Sequence, residues 1–143
     1  MEDGRVGIVV VSHSASLADA VVQLVGQLAN LDPSSGPRLV AAGGMADGSL
    51  GTDATRIAVA VTEADTGDGV LITADLGSAV LAAATALDEL LPADVAGRVR
   101  ISSGPLLEGT FVAAVQAAAG DALEEVAAAA DGASQMDKLG DRR

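Results

Sequence analysis

The chain has no cysteine, no tryptophan and no tyrosine, and it carries one phenylalanine, Phe111, and one histidine, His13. Without cysteine it can form neither a disulfide nor a thiolate metal site, and one histidine is a poor start for a metal centre. Cations are scarce as well: eight lysines and arginines stand against twenty acidic residues, for a formal charge of −12. Such a chain repels polyanions wherever salt does not screen them, so neither nucleic acid nor an anionic membrane is an expected partner. A phosphorylated ligand would have to be held locally, by backbone N–H groups for example, and not by a general positive field. The sole lysine is Lys138, so the glycine-rich stretch at residues 43–51 (GGMADGSLG) lacks the ending of a nucleotide P-loop. No G-x-G-x-x-G follows a strand-like run, and the G-x-S-x-G elbow of hydrolases is absent. Apolar runs are short and broken by Gly, Asp or Gln, which leaves nothing that could span a bilayer. The opening Met-Glu-Asp-Gly is unlike a secretory signal, and the cytosol is the expected compartment.

What is present reads as one α/β domain. Of the 143 residues 50% are apolar, almost all of them Ala, Val, Leu and Ile, a composition suited to close packing of helices on a sheet. Residues 6–12 (VGIVVVS) are a β-branched run without alternation, the pattern of a strand buried on both faces. Helical spacing follows, with Leu17, Val21, Leu24, Val25 and Leu28 on one face and Ser16 with Asp19 fitting an N-cap and acidic first turn. Residues 38–42 (RLVAA) are a second strand. After the glycine loop, Thr52 or Asp53 caps a helix with Ile57, Ala58 and Val61 as its stripe. Residues 69–74 (GVLITA) are a third strand, running into Asp75-Leu76-Gly77-Ser78 and a helix that Pro92 stops after Leu91. Residues 98–103 (RVRISS) form a fourth strand, and alanine-rich helical sequence covers 108–130 with a break at Gly120-Asp121. The expected division is a domain at 1–130 and a flexible tail or linker remnant at 131–143.

Strands alternating with helices call for a mainly parallel open sheet with helices on both faces. In such sheets the site lies beyond the carboxyl ends of the strands, where strand order reverses. Ser12-His13-Ser14, the glycine loop, Asp75-Leu76-Gly77-Ser78 and residues 104–108 all fall at those ends. A lone histidine is more often structural than catalytic, but one placed between a strand end and a helix start is a candidate nucleophile. Neutral imidazole is competent near pH 7 because its unperturbed pKa is about 6.5. One ring nitrogen can attack phosphorus while the other donates to a carboxylate that fixes the tautomer. Asp75 supplies that carboxylate if the first and third strands are neighbours; otherwise it only begins a turn or caps a helix. Ser78 has the same two readings, N-cap or phosphoryl donor. Leu76 belongs either to a docking surface or beneath its own loop.

These segments together resemble a known family. The strand and histidine in GIVVVSHS, AAGG followed by GTDA at 51–54, DLGSA at 75–79 with TALDEL after it, and PLLEGT at 105–110 occur in the right order. The chain from about Val6 to Ala130 is similar to the phosphocarrier subunits (DhaM) of phosphoenolpyruvate-dependent dihydroxyacetone kinases, in their mannose-type EIIA domain. The resemblance implies the mannose-type EIIA fold, with strand order 2-1-3-4, and a homodimer. It makes His13 the phosphorylated histidine, Asp75 its orienting carboxylate, and Gly77 with Ser78 the turn beside the site. It implies phospho-HPr, charged from phosphoenolpyruvate by enzyme I, as donor. The acceptor would be ADP, bound on the kinase's nucleotide-binding subunit, and no cofactor would be bound by this chain. N–H groups at the starts of the first and third helices, with Ser14 and Ser78, are expected to hold the phosphoryl oxygens. The alternative within the family is an EIIA that delivers phosphate to the EIIB subunit of a sugar transporter. Against it, that branch has an aromatic residue and an extra glycine after the aspartate, where this chain has Asp75-Leu76-Gly77-Ser78. A module with the same fold and no chemistry would not need His13 in this motif.

Overall fold

The computed structural model describes residues 4–142. The chain runs β1 (Gly7–Ser12), α1 (Ala15–Leu28), β2 (Leu39–Gly43), α2 (Ala54–Ala64), β3 (Val70–Ala74) and α3 (Gly77–Thr85). A π-helical turn (Ala86–Leu90), the single-turn α4 (Ala93–Ala96), β4 (Val99–Ile101), α5 (Leu106–Ala118) and α6 (Leu123–Gly132) follow. The four strands form one sheet in the order β2-β1-β3-β4, and every pairing is parallel. The expected strand order is therefore the observed one.

The pleat divides the core in two. Val9, Val11, Val70, Ile72 and Ala74 pack against α2, α3 and the π turn on one face. Val6, Ile8, Val10 and Leu71 pack against α1, α5 and α6 on the other. Every residue of β1 is buried, which explains its unbroken apolar run. Many helix contacts are made by alanine, including Ala113, Ala114, Ala117 and Ala130, all fully buried, so helices approach the sheet closely without aromatic filler. Where β2 passes the start of α1, Gly43 has no room for a side chain: a Cβ there would lie 2.5 Å from the Ser14 carbonyl oxygen.

Three boundaries differ from the sequence reading. The helix after β3 does not continue regularly to Leu91. Its last turn widens, with the Leu91 amide bonding the Ala86 carbonyl at 3.0 Å, before Pro92 ends it. The N-cap of α1 is Ser14, not Ser16: Ser14 is extended and its hydroxyl accepts from the Leu17 amide. The turn leaving β1 starts the helix two residues earlier than periodicity alone indicated. The packed chain also continues past Ala130, since α6 reaches Gly132, Ala133 is buried, and Lys138 pairs with Glu108 at 2.5 Å. At the opposite end of the sheet from His13, Arg98 grips Asp65 with both Nε and Nη2, at 3.0 and 2.6 Å to Oδ2. Hydrogen bonding from Arg98 holds the Asp65 carboxyl below its ordinary range. Among the described residues no helix is long and apolar enough to cross a membrane.

Candidate functional site

Parallel pairing of β1 with β3 puts Val11 opposite Ala74, so the residues just beyond both strands emerge side by side. His13 leaves β1 there, and Asp75 leaves β3. The Asp75 carboxylate is the hub. Its Oδ2 accepts from the Ser12 hydroxyl and from the His13 amide, both at 3.0 Å. Its Oδ1 accepts from the Leu76 amide at 2.8 Å and lies 3.0 Å from His13 Nδ1. The Asp75 side chain is 14% exposed. Burial by itself would raise its pKa, but the His13 amide and ring and the Ser12 hydroxyl outweigh that and hold the carboxyl below its ordinary value. Asp75 is thus ionised at neutral pH, and an ionised carboxylate only accepts hydrogen bonds. It follows that Nδ1 of neutral His13 carries the proton and Nε2 the free electron pair.

The other face of the ring meets Ser78, whose hydroxyl lies 2.7 Å from Nε2 and, given that tautomer, donates to it. With the ring held at both nitrogens, the His13 side chain is still 28% exposed. Ser78 is not an N-cap. Leu76 holds that position in α3 and offers no side-chain bond to the helix, so Gly77 and Ser78 form the first turn, whose N–H groups lack partners within the helix. Space around Gly77 is open. Ser14, by contrast, uses its hydroxyl to cap α1 and to pair with Ser16 at 3.1 Å, and no hydrogen bond joins it to the His13 ring. Leu76 is 63% exposed, which rules out a place beneath its loop.

The glycine loop backs the histidine through its main chain. The Gly44 amide bonds the Ser12 carbonyl at 3.1 Å, and the Gly51 amide bonds the His13 carbonyl at 2.8 Å. Gly51 has φ +142, where a side chain would be strained and would press on Met45. This loop also lifts Leu50, 78% exposed, beside the site. Sequence reading placed Ser12 and the glycine loop at the strand ends but gave neither Ser12 nor Leu50 a role. The signal for Ser12 was available, as the only polar residue in an otherwise apolar buried strand.

A second turn of the same build leaves β4. The Ser102 hydroxyl donates to Asp131 Oδ1 at 2.7 Å, and the Ser103 amide donates to the same oxygen at 2.9 Å. The Gly104 amide donates to Ser102 Oγ at 3.0 Å, as the Ser14 amide does to Ser12 Oγ, also at 3.0 Å. Exposed Ser103 occupies the place that His13 holds in the first turn.

The model of the EIIA-man family, described as the PTS system fructose IIA component, matches residues 7–127. The chain belongs to the EIIA-man family. Among individual relatives, the phosphoryl donor subunit DhaM of the PEP-dependent dihydroxyacetone kinase of Klebsiella michiganensis is 42% identical over 85% of this chain. That of dihydroxyacetone kinase 2 of Listeria innocua is 36% identical over 78% of this chain and 85% of its own length. This chain spans only 25% of the Klebsiella relative, whereas the Listeria one is of similar extent. The crystal structure of EF1359, a protein of unknown function, is similar with a TM-score of 0.75 and 34% identity, covering 90% of this chain and 94% of that one. The EIIA-man match covers β1 through the first half of α6, and so includes His13, Asp75, Gly77 and Ser78.

Proposed function

We propose that this EIIA-man chain is a phosphoryl carrier that takes a phosphoryl group from phospho-HPr onto Nε2 of His13 and passes it to ADP. That ADP is bound on the nucleotide-binding subunit of a dihydroxyacetone kinase. The observation that carries the reading is the His13 ring itself, fixed by Asp75 at Nδ1 and by Ser78 at Nε2 while still open to solvent. The likeness to DhaM phosphoryl donor subunits supports the choice of kinase.

In the first transfer the Nε2 electron pair attacks phosphorus in line, and the bond from phosphorus to the donor breaks with its pair leaving on the donor. The Ser78 hydroxyl, released from Nε2, turns its hydrogen to a phosphoryl oxygen, and the Gly77 and Ser78 amides meet the others at the start of α3. The imidazole becomes cationic as it forms the new bond, and the adjacent Asp75 carboxylate offsets that charge. In the second transfer an ADP oxygen attacks phosphorus, and the electron pair returns to Nε2. Exposed Leu50 and Leu76 contribute apolar area to the surface on which donor and acceptor dock in turn. The nucleotide stays on the kinase subunit and this chain holds no cofactor of its own. The carrier works in the cytosol as a homodimer.

Incubation with phosphoenolpyruvate, enzyme I and HPr, followed by intact-mass measurement, tests the first step. One acid-labile phosphoryl group should appear, and it should be absent in His13→Ala. No gain with an HPr that is itself phosphorylated contradicts the proposal. Adding the kinase subunits and dihydroxyacetone tests the second step: discharge by a sugar-transporter EIIB and not by the kinase would redirect the carrier to transport.

A further inference from the structure

Ser12 is the one polar side chain in β1, and it is wholly buried. Both of its capacities are in use. Its oxygen accepts the Ser14 amide at 3.0 Å, and with that oxygen engaged its single hydrogen points to Asp75 Oδ2, also at 3.0 Å. The His13 amide lands on the same Oδ2. Two donors on one oxygen fix the rotation of the carboxylate about its own axis, and this turns Oδ1 toward His13 Nδ1.

We propose that Ser12 is a positioning residue for phosphoryl transfer: by clamping Asp75 Oδ2 it presents Oδ1 to His13 Nδ1 and so keeps Nε2 as the nucleophile. This rests on the reading of His13 as the phosphoryl acceptor. Ser12 itself touches neither His13's ring nor the phosphoryl group, and it acts through Asp75. Without the clamp the carboxylate can rotate, the bond to Nδ1 loosens, and the ring can protonate on Nε2, the tautomer that cannot attack through Nε2. The β4 turn gives an internal control, since Ser102 makes the same pair of bonds to Asp131 and Gly104 with no imidazole present. Loss of Ser102 reports the purely structural cost of removing such a hydroxyl.

The test compares Ser12→Ala, Ser12→Cys and Ser102→Ala in the full chain. The ring nitrogens of His13 are read by 15N NMR before phosphorylation, and initial rates of acceptance are measured against phospho-HPr concentration. For Ser12→Ala the Nε2-protonated tautomer should gain population, and kcat should fall about tenfold with KM within about twofold of the parent, the pattern of lost orientation at an unchanged docking surface. Ser12→Cys keeps the volume with a weaker donor and should fall between Ser12→Ala and the parent, and it carries the test if Ser12→Ala does not fold. Ser102→Ala should leave tautomer and rate at parent values. A parental tautomer and kcat in the folded Ser12 variants overturns the inference. If the parent chain accepts no phosphoryl group, the reading of His13 fails, and the NMR result still reports on Ser12 and Asp75.

Discussion

At the end of β1 the Ser12 hydroxyl and the His13 amide meet Asp75, and at the end of β4 the Ser102 hydroxyl and the Ser103 amide meet Asp131. Both turns release the chain into a helix, and both bury the serine. They differ in where the aspartate comes from and in what its second oxygen does. Asp75 leaves the neighbouring strand and offers Oδ1 to an imidazole and to the Leu76 amide, whereas Asp131 sits on α6 and its hydrogen bonds from Ser102 and Ser103 fall on Oδ1 alone. One framework thus serves two ends. At β4 it fastens a helix to the sheet, and at β1 it also aims a ring. On the proposed reading, building the turn is therefore not sufficient for chemistry, which also calls on the histidine, the second carboxylate oxygen of Asp75 turned to its ring, and Ser78 on the following helix.

Changing the aspartates separates the two roles most sharply. Asp75→Asn should cut phosphoryl acceptance by about 10³ to 10⁴, since the amide no longer enforces the Nδ1-protonated tautomer. Asp131→Asn should leave acceptance within about twofold and lower thermal stability by about 1–2 kcal/mol, seen as a fall of a few degrees in the unfolding midpoint. Equal losses of activity in both variants would dissolve the distinction. A smaller effect is expected for Ser78→Ala, about tenfold in acceptance rate, because the first-turn amides of α3 remain.

Acid should expose a further asymmetry. The Asp75 carboxyl has a lowered pKa in the folded chain, so the stability it contributes is complete above its unfolded value, about 3.9, and is lost as pH falls through the lower folded value. Thermal unfolding of the parent and Asp75→Asn should therefore begin to converge below about pH 4 and meet once the pH has passed the lower folded value. The smallest effect is expected where the comparison is pressed furthest. Ser103→His in a His13→Ala background should accept no phosphoryl group, because Asp131 lies at the end of α6 and is not followed by a helix start whose amides could meet the phosphoryl oxygens, as those of Gly77 and Ser78 follow Asp75. Acceptance there would mean that the turn alone suffices.

The alternation of strands and helices was legible because it depends on patterns spread along the chain, buried β-branched runs and the short polar segments after them. The strand order that makes β1 and β3 neighbours, and so lets His13 meet Asp75, came from the family resemblance and not from those patterns. Ser12 stood out as a polar residue at a strand end but received no role, because that role depends on a carboxylate 63 residues away. Asp131 was assigned to a tail for the same reason, since nothing local announces that α6 carries it back to Ser102. Ser14 drew a phosphoryl-binding role from its neighbour His13, and the structure adds a second use for it, since its hydroxyl oxygen accepts from the Leu17 amide and caps α1. Three-dimensional closure of these turns is what periodicity does not encode. Leu50 makes the same point, because backbone bonds from Gly44 to Ser12 and from Gly51 to His13 bring the glycine loop to the site.

The most direct test of the account is a 15N and 31P NMR comparison of histidine-labelled protein before and after exposure to phospho-HPr. With one histidine in the chain the ring signals have a single source. The account expects a proton on Nδ1 beforehand and phosphorus coupled to Nε2 afterwards. Phosphorus on Nδ1, or an unchanged ring alongside an HPr that stays charged, would contradict it.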